Sequence, residues 1–238
     1  MNNPTITAYD WVPEFARGQV RDLRVRWALE EVGQPYEVRY LGQGSQKAPP
    51  HRAIQPFGQV PTYQAGELTM FESGAIVLHI AGQRPGLMPD DPHARARTTE
   101  WAFAALNTVE PPISDHAIAT LFEADKPWSK QRLPSVKARI DERLGELSNR
   151  LNSNDWLDGN FTAGDLLMVA VLRQLNGTGM LNRYPNLAAY VSRGEARPAF
   201  RKALADQMAG FTGSPSPQIV AWLEQMKSAQ AELQGETQ

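Results

Sequence analysis

Glu72 and Ser73 stand side by side in "FESGAIVLHIAG", where a strand-like run gives way to an apolar helix pattern. A carboxylate there is an acceptor for a cation. A hydroxyl followed by the free backbone N–H groups of a helix start suits an anion, and the helix dipole adds to it. The pair therefore matches a ligand that carries both an ammonium and a carboxylate; the ordinary roles of the same residues are an N-cap and a solvated charge. Just upstream, "QVPTY" puts a proline after a β-branched residue at Val60-Pro61, which taken alone reads as an edge-strand proline. The chain has no cysteine, which excludes disulfides, thiolate metal clusters and a cysteine nucleophile. Its four histidines, His51, His79, His93 and His116, lack ligand spacing, so no metal site is expected.

The elements that must position these residues alternate in the first half. "TITAYDW" (5–11) is rich in strand formers, and "VRDLRVRWALEEVGQ" (20–34) carries Leu23, Trp27, Ala28 and Val32 at helical spacing and stops at Gly33. "PYEVRYL" (35–41) alternates as a strand, and a helical crossover makes it parallel to the first. Strands at 59–64 and 68–71 around Gly66 form an antiparallel hairpin, and a helix over 73–81 ends at Gly82. This order makes a small mixed sheet with helices on its faces, a thioredoxin-like α/β domain.

After the proline- and glycine-rich "GQRPGLMPDDP" (82–92) the strand signal disappears. Asp91-Pro92 opens a helix through Val109 that should halt at Pro111-Pro112. Val136, Ile140, Leu144, Leu147 and Leu151 share one helical face, while Thr162 and Asp165 have capping-box spacing with Phe161 and Leu166 as a hydrophobic staple. A last helix is expected near 216–233, with Ile219, Trp222, Leu223 and Met226 packed on the chain's own core. The expected division is a domain over 1–82, a linker over 83–92 and an all-helical domain over 93–238.

At 238 residues and 42% hydrophobic content, the chain can bury one large core or two modest ones. A net charge of −2 argues against a strongly basic nucleic-acid surface. No run approaches the roughly 18 apolar residues of a membrane span, and the start lacks a basic segment followed by an apolar one. A soluble, cytoplasmic protein is expected.

The ordered set of "QVPTY", "FESGAI", the proline-rich linker and "FTAGDLLMVAVL" resembles the glutathione transferase superfamily over nearly the whole chain, and "YPNLAAYVSRGEARPAF" (184–200) is similar to its late helical segment. The resemblance implies that glutathione is the co-substrate. Ser73 and the adjacent amides would take its γ-glutamyl carboxylate and Glu72 its ammonium. Gln59 and a cis Val60-Pro61 would present backbone N–H and C=O groups to the cysteinyl part, as an added strand. Lys47 is the first choice of cation for the glycine carboxylate, with His51 and Arg52 as alternatives. A homodimer whose two-fold interface borders the site is also implied.

The family speeds reaction by stabilising the bound thiolate through a Tyr, Ser or Cys near the first strand and helix, and here the chain departs from the pattern. Val20, Arg21 and Asp22 occupy the aligned positions, and no Ser, Thr or Cys lies between Thr7 and Ser45. Tyr9 at the end of the first strand is the remaining hydroxyl, with Arg17 and Arg21 as cationic alternatives. Trp11, Phe15, Trp101 and Phe103 are the candidates to line a pocket for a small apolar electrophile. The expected function is conjugation of glutathione to that electrophile, or a related thiol exchange or reduction. The alternative is a non-catalytic binding or regulatory protein that retains glutathione binding.

Overall fold

The computed structural model describes residues 3–217 and 219–225. A four-stranded sheet in the order β2-β1-β3-β4 is built from β1 (Thr5–Tyr9), β2 (Glu37–Leu41), β3 (Thr62–Ala65) and β4 (Leu68–Phe71). β1 and β2 are parallel because α1 (Asp22–Glu31) crosses between them, whereas β3 is antiparallel to both β1 and β4. The expected mixed sheet is therefore present. β1 is shorter than its sequence signal and leaves the ladder after Tyr9. A four-residue helix α2 (Pro49–Arg52) precedes β3, and α3 (Ser73–Gln83) follows β4 directly.

The second half of the described chain is helical: α4 (Pro92–Phe103), α5 (Glu110–Ala117), α6 (Pro127–Leu151), α7 (Ala163–Leu172), α8 (Pro185–Glu195) and α9 (Pro198–Ala209). The expected halt at Pro111-Pro112 does not occur. A π-helical segment, Ala104–Val109, joins α4 to α5, so the two prolines fall in the first turn of α5, where missing N–H donors cost little. Val136, Ile140, Leu144, Leu147 and Leu151 are all buried along α6. The capping box at Thr162 and Asp165 is formed, with the Asp165 carboxylate accepting from Thr162 N at 3.0 Å and Leu157 N at 2.9 Å. Of the expected last helix, residues 217 and 219–225 are helical and 216 precedes them as coil; 218 and 226–233, Met226 among them, lie outside the described residues.

The core runs without a break from Ile6, Val25 and Ile76 beneath the sheet to Leu144, Leu166 and Phe200 in the helical half. Leu87 of the connecting segment is fully buried in it, and its carbonyl accepts from Ala163 N at 2.9 Å. α1 lies at the junction, between α3 on one side and α7 and α9 on the other. Its residues 22–29 are all buried, including Asp22, Arg24 and Arg26. An amphipathic pattern predicts one buried face. Here the polar face is buried too, because each charge finds a partner within the molecule.

Candidate functional site at the start of α3

Glu72 occupies a backbone conformation with φ 69° and ψ 109°, and Ser73 begins α3. A positive φ is costly for a residue with a Cβ, and such positions cluster where a side chain must be aimed. The Glu72 side chain is exposed and makes no cap to the helix, so its carboxylate is open to solvent beside the free amides. Ser73 is 6% exposed, and its Oγ accepts from Arg24 Nη1 at 3.4 Å. That bond uses a lone pair and leaves the single hydroxyl proton to donate elsewhere. Gly74 follows because Leu106 of the π-helical segment presses against its backbone, where a Cβ would collide. The start of α3 is thus held against the helical half.

Arg24 is the hub behind this site. Its Nη2 donates to Glu110 Oε1 at 2.8 Å and its Nη1 to Oε2 at 3.3 Å, while Arg21 Nη2 reaches Oε1 at 3.1 Å and Gln174 Nε2 the same oxygen at 3.3 Å. Burial pushes the Glu110 carboxyl up, but the Arg24 and Arg21 charges and hydrogen bonds together outweigh it and hold it below its usual range. Two guanidiniums against one carboxylate leave a net positive charge beside Ser73. Arg24 and Glu110 were not among the sequence candidates. An arginine at a helix start and a glutamate before two prolines read as surface charges.

Val60-Pro61 is cis, and Val60 precedes the paired residues of β3. The carbonyl of Gln59 is held by His51 Nε2 at 2.6 Å and its N–H by Gln55 Oε1 at 3.2 Å, while the Gln59 side chain is exposed. His51 is 6% exposed and braces this turn from inside. Lys47 is exposed and its Nζ donates to the Phe57 carbonyl at 3.1 Å; Arg52 is exposed on α2. These residues gather on the stretch leading into Val60.

The thiolate candidates separate. Tyr9 ends β1, and burial together with the Asp22 charge pushes its phenol up, so it keeps its proton through the neutral range. Arg17 packs over the Phe211 ring at 5.9 Å, away from the Arg21 cluster in its bonding. Arg21 is the most solvent-open member of the Glu110 network, with a side chain 47% exposed.

The four aromatic candidates do not converge. Phe15 stands edge-on to Phe122 at 6.0 Å, and Phe122 stacks on Trp222 at 5.8 Å, an aromatic group drawn from three distant segments. The Trp11 carbonyl accepts from Gln43 at 2.8 Å. Trp101 instead packs against Gly164 and under Arg150, whose guanidinium is 5.5 Å from its ring. Phe103, 56% exposed, is two residues further along α4. Trp101 is in α4, whereas Phe122 ends a second π-helical segment, Ile118–Phe122, that follows α5. Phe122 and Trp222 were the members that sequence reading left out of the pocket, because nothing local links them to Phe15.

Residues 5–82 match the family described as glutathione S-transferase, N-terminal domain, and residues 113–207 the one described as glutathione S-transferase, C-terminal domain. A probable glutathione S-transferase GSTF2 of Oryza sativa subsp. japonica is 31% identical over 189 residues, which span 73% of this chain and 86% of that protein. Glutathione S-transferase 4 of Zea mays is 28% identical over 235 residues, 92% of this chain and 100% of that one. Among solved structures, a glutathione transferase from Burkholderia graminis with two glutathione molecules bound per subunit superposes with a TM-score of 0.75 at 22% identity, covering 85% of this chain and 87% of that one. Poplar glutathione transferase F1 does so with a TM-score of 0.75 at 23% identity, covering 88% and 100%.

Proposed function

The chain belongs to the glutathione S-transferase family, and from that premise we propose that it conjugates the thiolate of glutathione to a small apolar electrophile. The carrying observation is the start of α3, where an open carboxylate at Glu72, a hydroxyl proton at Ser73 and free amides sit beside the net positive Arg21–Arg24–Glu110 group. Glu72 takes the γ-glutamyl ammonium, and Ser73 with the adjacent amides takes the carboxylate. Val60 pairs with the cysteinyl backbone, with Gln59 beside it, and Lys47 offers a charge to the glycine carboxylate.

The sulfur is stabilised as a thiolate by the Arg21 charge, assisted by the N-terminal dipole of α1. A free thiol with a pKa of about 8.5 is mostly protonated at neutral pH, so a nearby cation raises the concentration of the nucleophile. Tyr9 is the second candidate donor. Its phenol stays protonated, which suits hydrogen-bond donation but makes it a weak acid. The electrophile lies against Phe15 and Phe122, with Trp222 behind them.

The 83–92 segment is the linker between the glutathione-binding domain and the helical domain of this reading, the protein acts in the cytoplasm, and two copies associate. Support for association comes from Phe57, 62% exposed, set edge-on to the half-exposed Phe71 at 6.1 Å next to the site. No helix among the described residues is long and apolar enough to cross a membrane.

Titration calorimetry with glutathione, followed by a conjugation assay with an aryl chloride, tests the activity. Binding with turnover is expected. Binding without turnover by any electrophile would move the reading to a non-catalytic glutathione-binding protein.

A further inference from the structure

Residues 17–20, which lead into Arg21, form a turn with no strand or helix of its own to hold it. Its backbone is held from the helical half instead. Arg173, the residue after α7, donates from Nη1 to the Gly18 carbonyl at 2.8 Å, and Gln207 of α9 donates from Nε2 to the Val20 carbonyl at 3.2 Å. The Gln19 side chain donates in turn to the Arg173 carbonyl at 3.4 Å. Gly18 is buried with φ 72°, and a Cβ there would stand 3.1 Å from Leu204 Cδ1, so the turn has little room to shift.

Arg173 is itself fixed on two other sides. It is 7% exposed, its Nε donates to Glu195 Oε1 at 2.6 Å, and its guanidinium lies 4.7 Å from the centre of the Phe200 ring. A rigid guanidinium oriented by an ion pair and an aromatic ring aims its remaining N–H groups with little freedom. Here one of them is spent on a carbonyl three residues before Arg21. The Val20 carbonyl also accepts from Leu23 N at 3.0 Å, so the turn and the first turn of α1 move together. The Arg21 side chain is 47% exposed, and its head meets only Glu110 among the described residues. Its place relative to a sulfur therefore depends on where its backbone begins, and a misplacement of about 1 Å is enough to weaken a reacting geometry severely.

We propose that Arg173 is a positioning residue for the conjugation: by holding Gly18 it places Arg21 and the N-terminus of α1 against the glutathione sulfur. The proposal rests on the reading of Arg21 as the group that stabilises the thiolate.

Arg173→Met tests it, because it keeps an apolar stem over Phe200 and removes the donor, while Glu195, with a side chain 32% exposed, stays open to water. The ultraviolet absorbance of the bound thiolate, followed against pH, should show the thiol pKa raised, and turnover at neutral pH should fall about tenfold and recover as the pH rises. Affinity for S-hexylglutathione, which has no thiol to ionise, should stay within about twofold, because Glu72, Ser73 and Val60 lie on other segments. Arg173→Lys, which keeps the charge without the fork, should shift the same quantities less and serves if the methionine variant does not fold. On an Arg21→Ala background, Arg173→Met should add nothing further to the thiol pKa. If Arg21→Ala raises the pKa and neither Arg173 variant does, the positioning role is overturned and the reading of Arg21 stands. An additive rise in the double variant overturns the route through Arg21. Arg21→Ala without effect on the pKa removes the premise, and the proposal with it.

Discussion

Arg24 and Glu110 join the two halves of the chain through a two-point contact: Nη2 meets Oε1 at 2.8 Å and Nη1 meets Oε2 at 3.3 Å, with both side chains almost sealed from solvent. The same Nη1 reaches Ser73 Oγ at 3.4 Å, so one guanidinium fixes the domain junction and orients the hydroxyl at the start of α3. Removing the carboxylate leaves the buried Arg24 guanidinium without its ion-pair partner, beside the half-exposed Arg21. Glu110→Ala should therefore cost about 3 kcal/mol of stability, read from urea midpoints, and should also weaken glutathione. A loss below about 0.5 kcal/mol, the scale of a surface change, would show the pair to be energetically idle.

The pH dependence of that contact has a definite sign. The folded-state pKa of Glu110 is depressed, so its stabilisation is present above the unfolded carboxylate value of about 4.3 and is lost as pH falls through the lower folded value. The unmodified chain should lose this contribution on acidification below about pH 4. Glu110→Gln should lower stability at pH 7 and flatten its share of the acid limb. An unchanged difference between the two proteins from pH 7 to pH 3 would contradict the assignment.

Glu72 carries both a ligand role and a strained backbone, and two substitutions separate them. Glu72→Ala and Ser73→Ala should each weaken glutathione by about 1–3 kcal/mol, since each leaves a charged end of the ligand short of a partner. Glu72→Gly should weaken it equally yet fold more stably than Glu72→Ala by about 1 kcal/mol, because glycine tolerates the φ of 69°. Calorimetry and thermal unfolding on the three variants read the two effects independently.

For the thiolate, Arg21→Ala should raise the pKa of bound glutathione and cut turnover at neutral pH by roughly ten- to a thousandfold, the range for loss of one charged stabiliser in a partly dry site. Tyr9→Phe should do little. The ultraviolet absorbance of the thiolate followed against pH decides between them without knowledge of the electrophile. A normal thiol pKa in the unmodified protein would remove both residues from the chemistry.

Association should depend on Phe57. Sedimentation of the unmodified protein at micromolar concentration should give twice the single-chain mass of 26.4 kDa, and Phe57→Ala should shift it towards that value. A single-chain mass for the unmodified protein would refute the dimer.

Local pattern determined the elements that carry the site. The alternation of β2, the turn at Gly66 and the Thr162 and Asp165 capping box act within a few residues, so their physics is written in adjacent positions. The Glu72-Ser73 junction was legible for the same reason, as a strand end meeting a helix start. Pro111-Pro112 misled because a stop signal is local while the π-helical segment that absorbs it is shaped by packing against α7. What only the tertiary structure decided is the fate of the charges on α1. Nothing in the spacing of Asp22, Arg24 and Arg26 shows that all three are buried: Arg26 pairs with Asp22 one turn away, while Asp22 and Arg24 take Gln207, Glu110 and Ser73 from 49 to 185 positions away. The aromatic group of Phe15, Phe122 and Trp222 was out of reach for the same reason. Spacing records which face a helix can bury, but the desolvation of a charge is tolerable only where a distant partner arrives, and that arrival belongs to the fold.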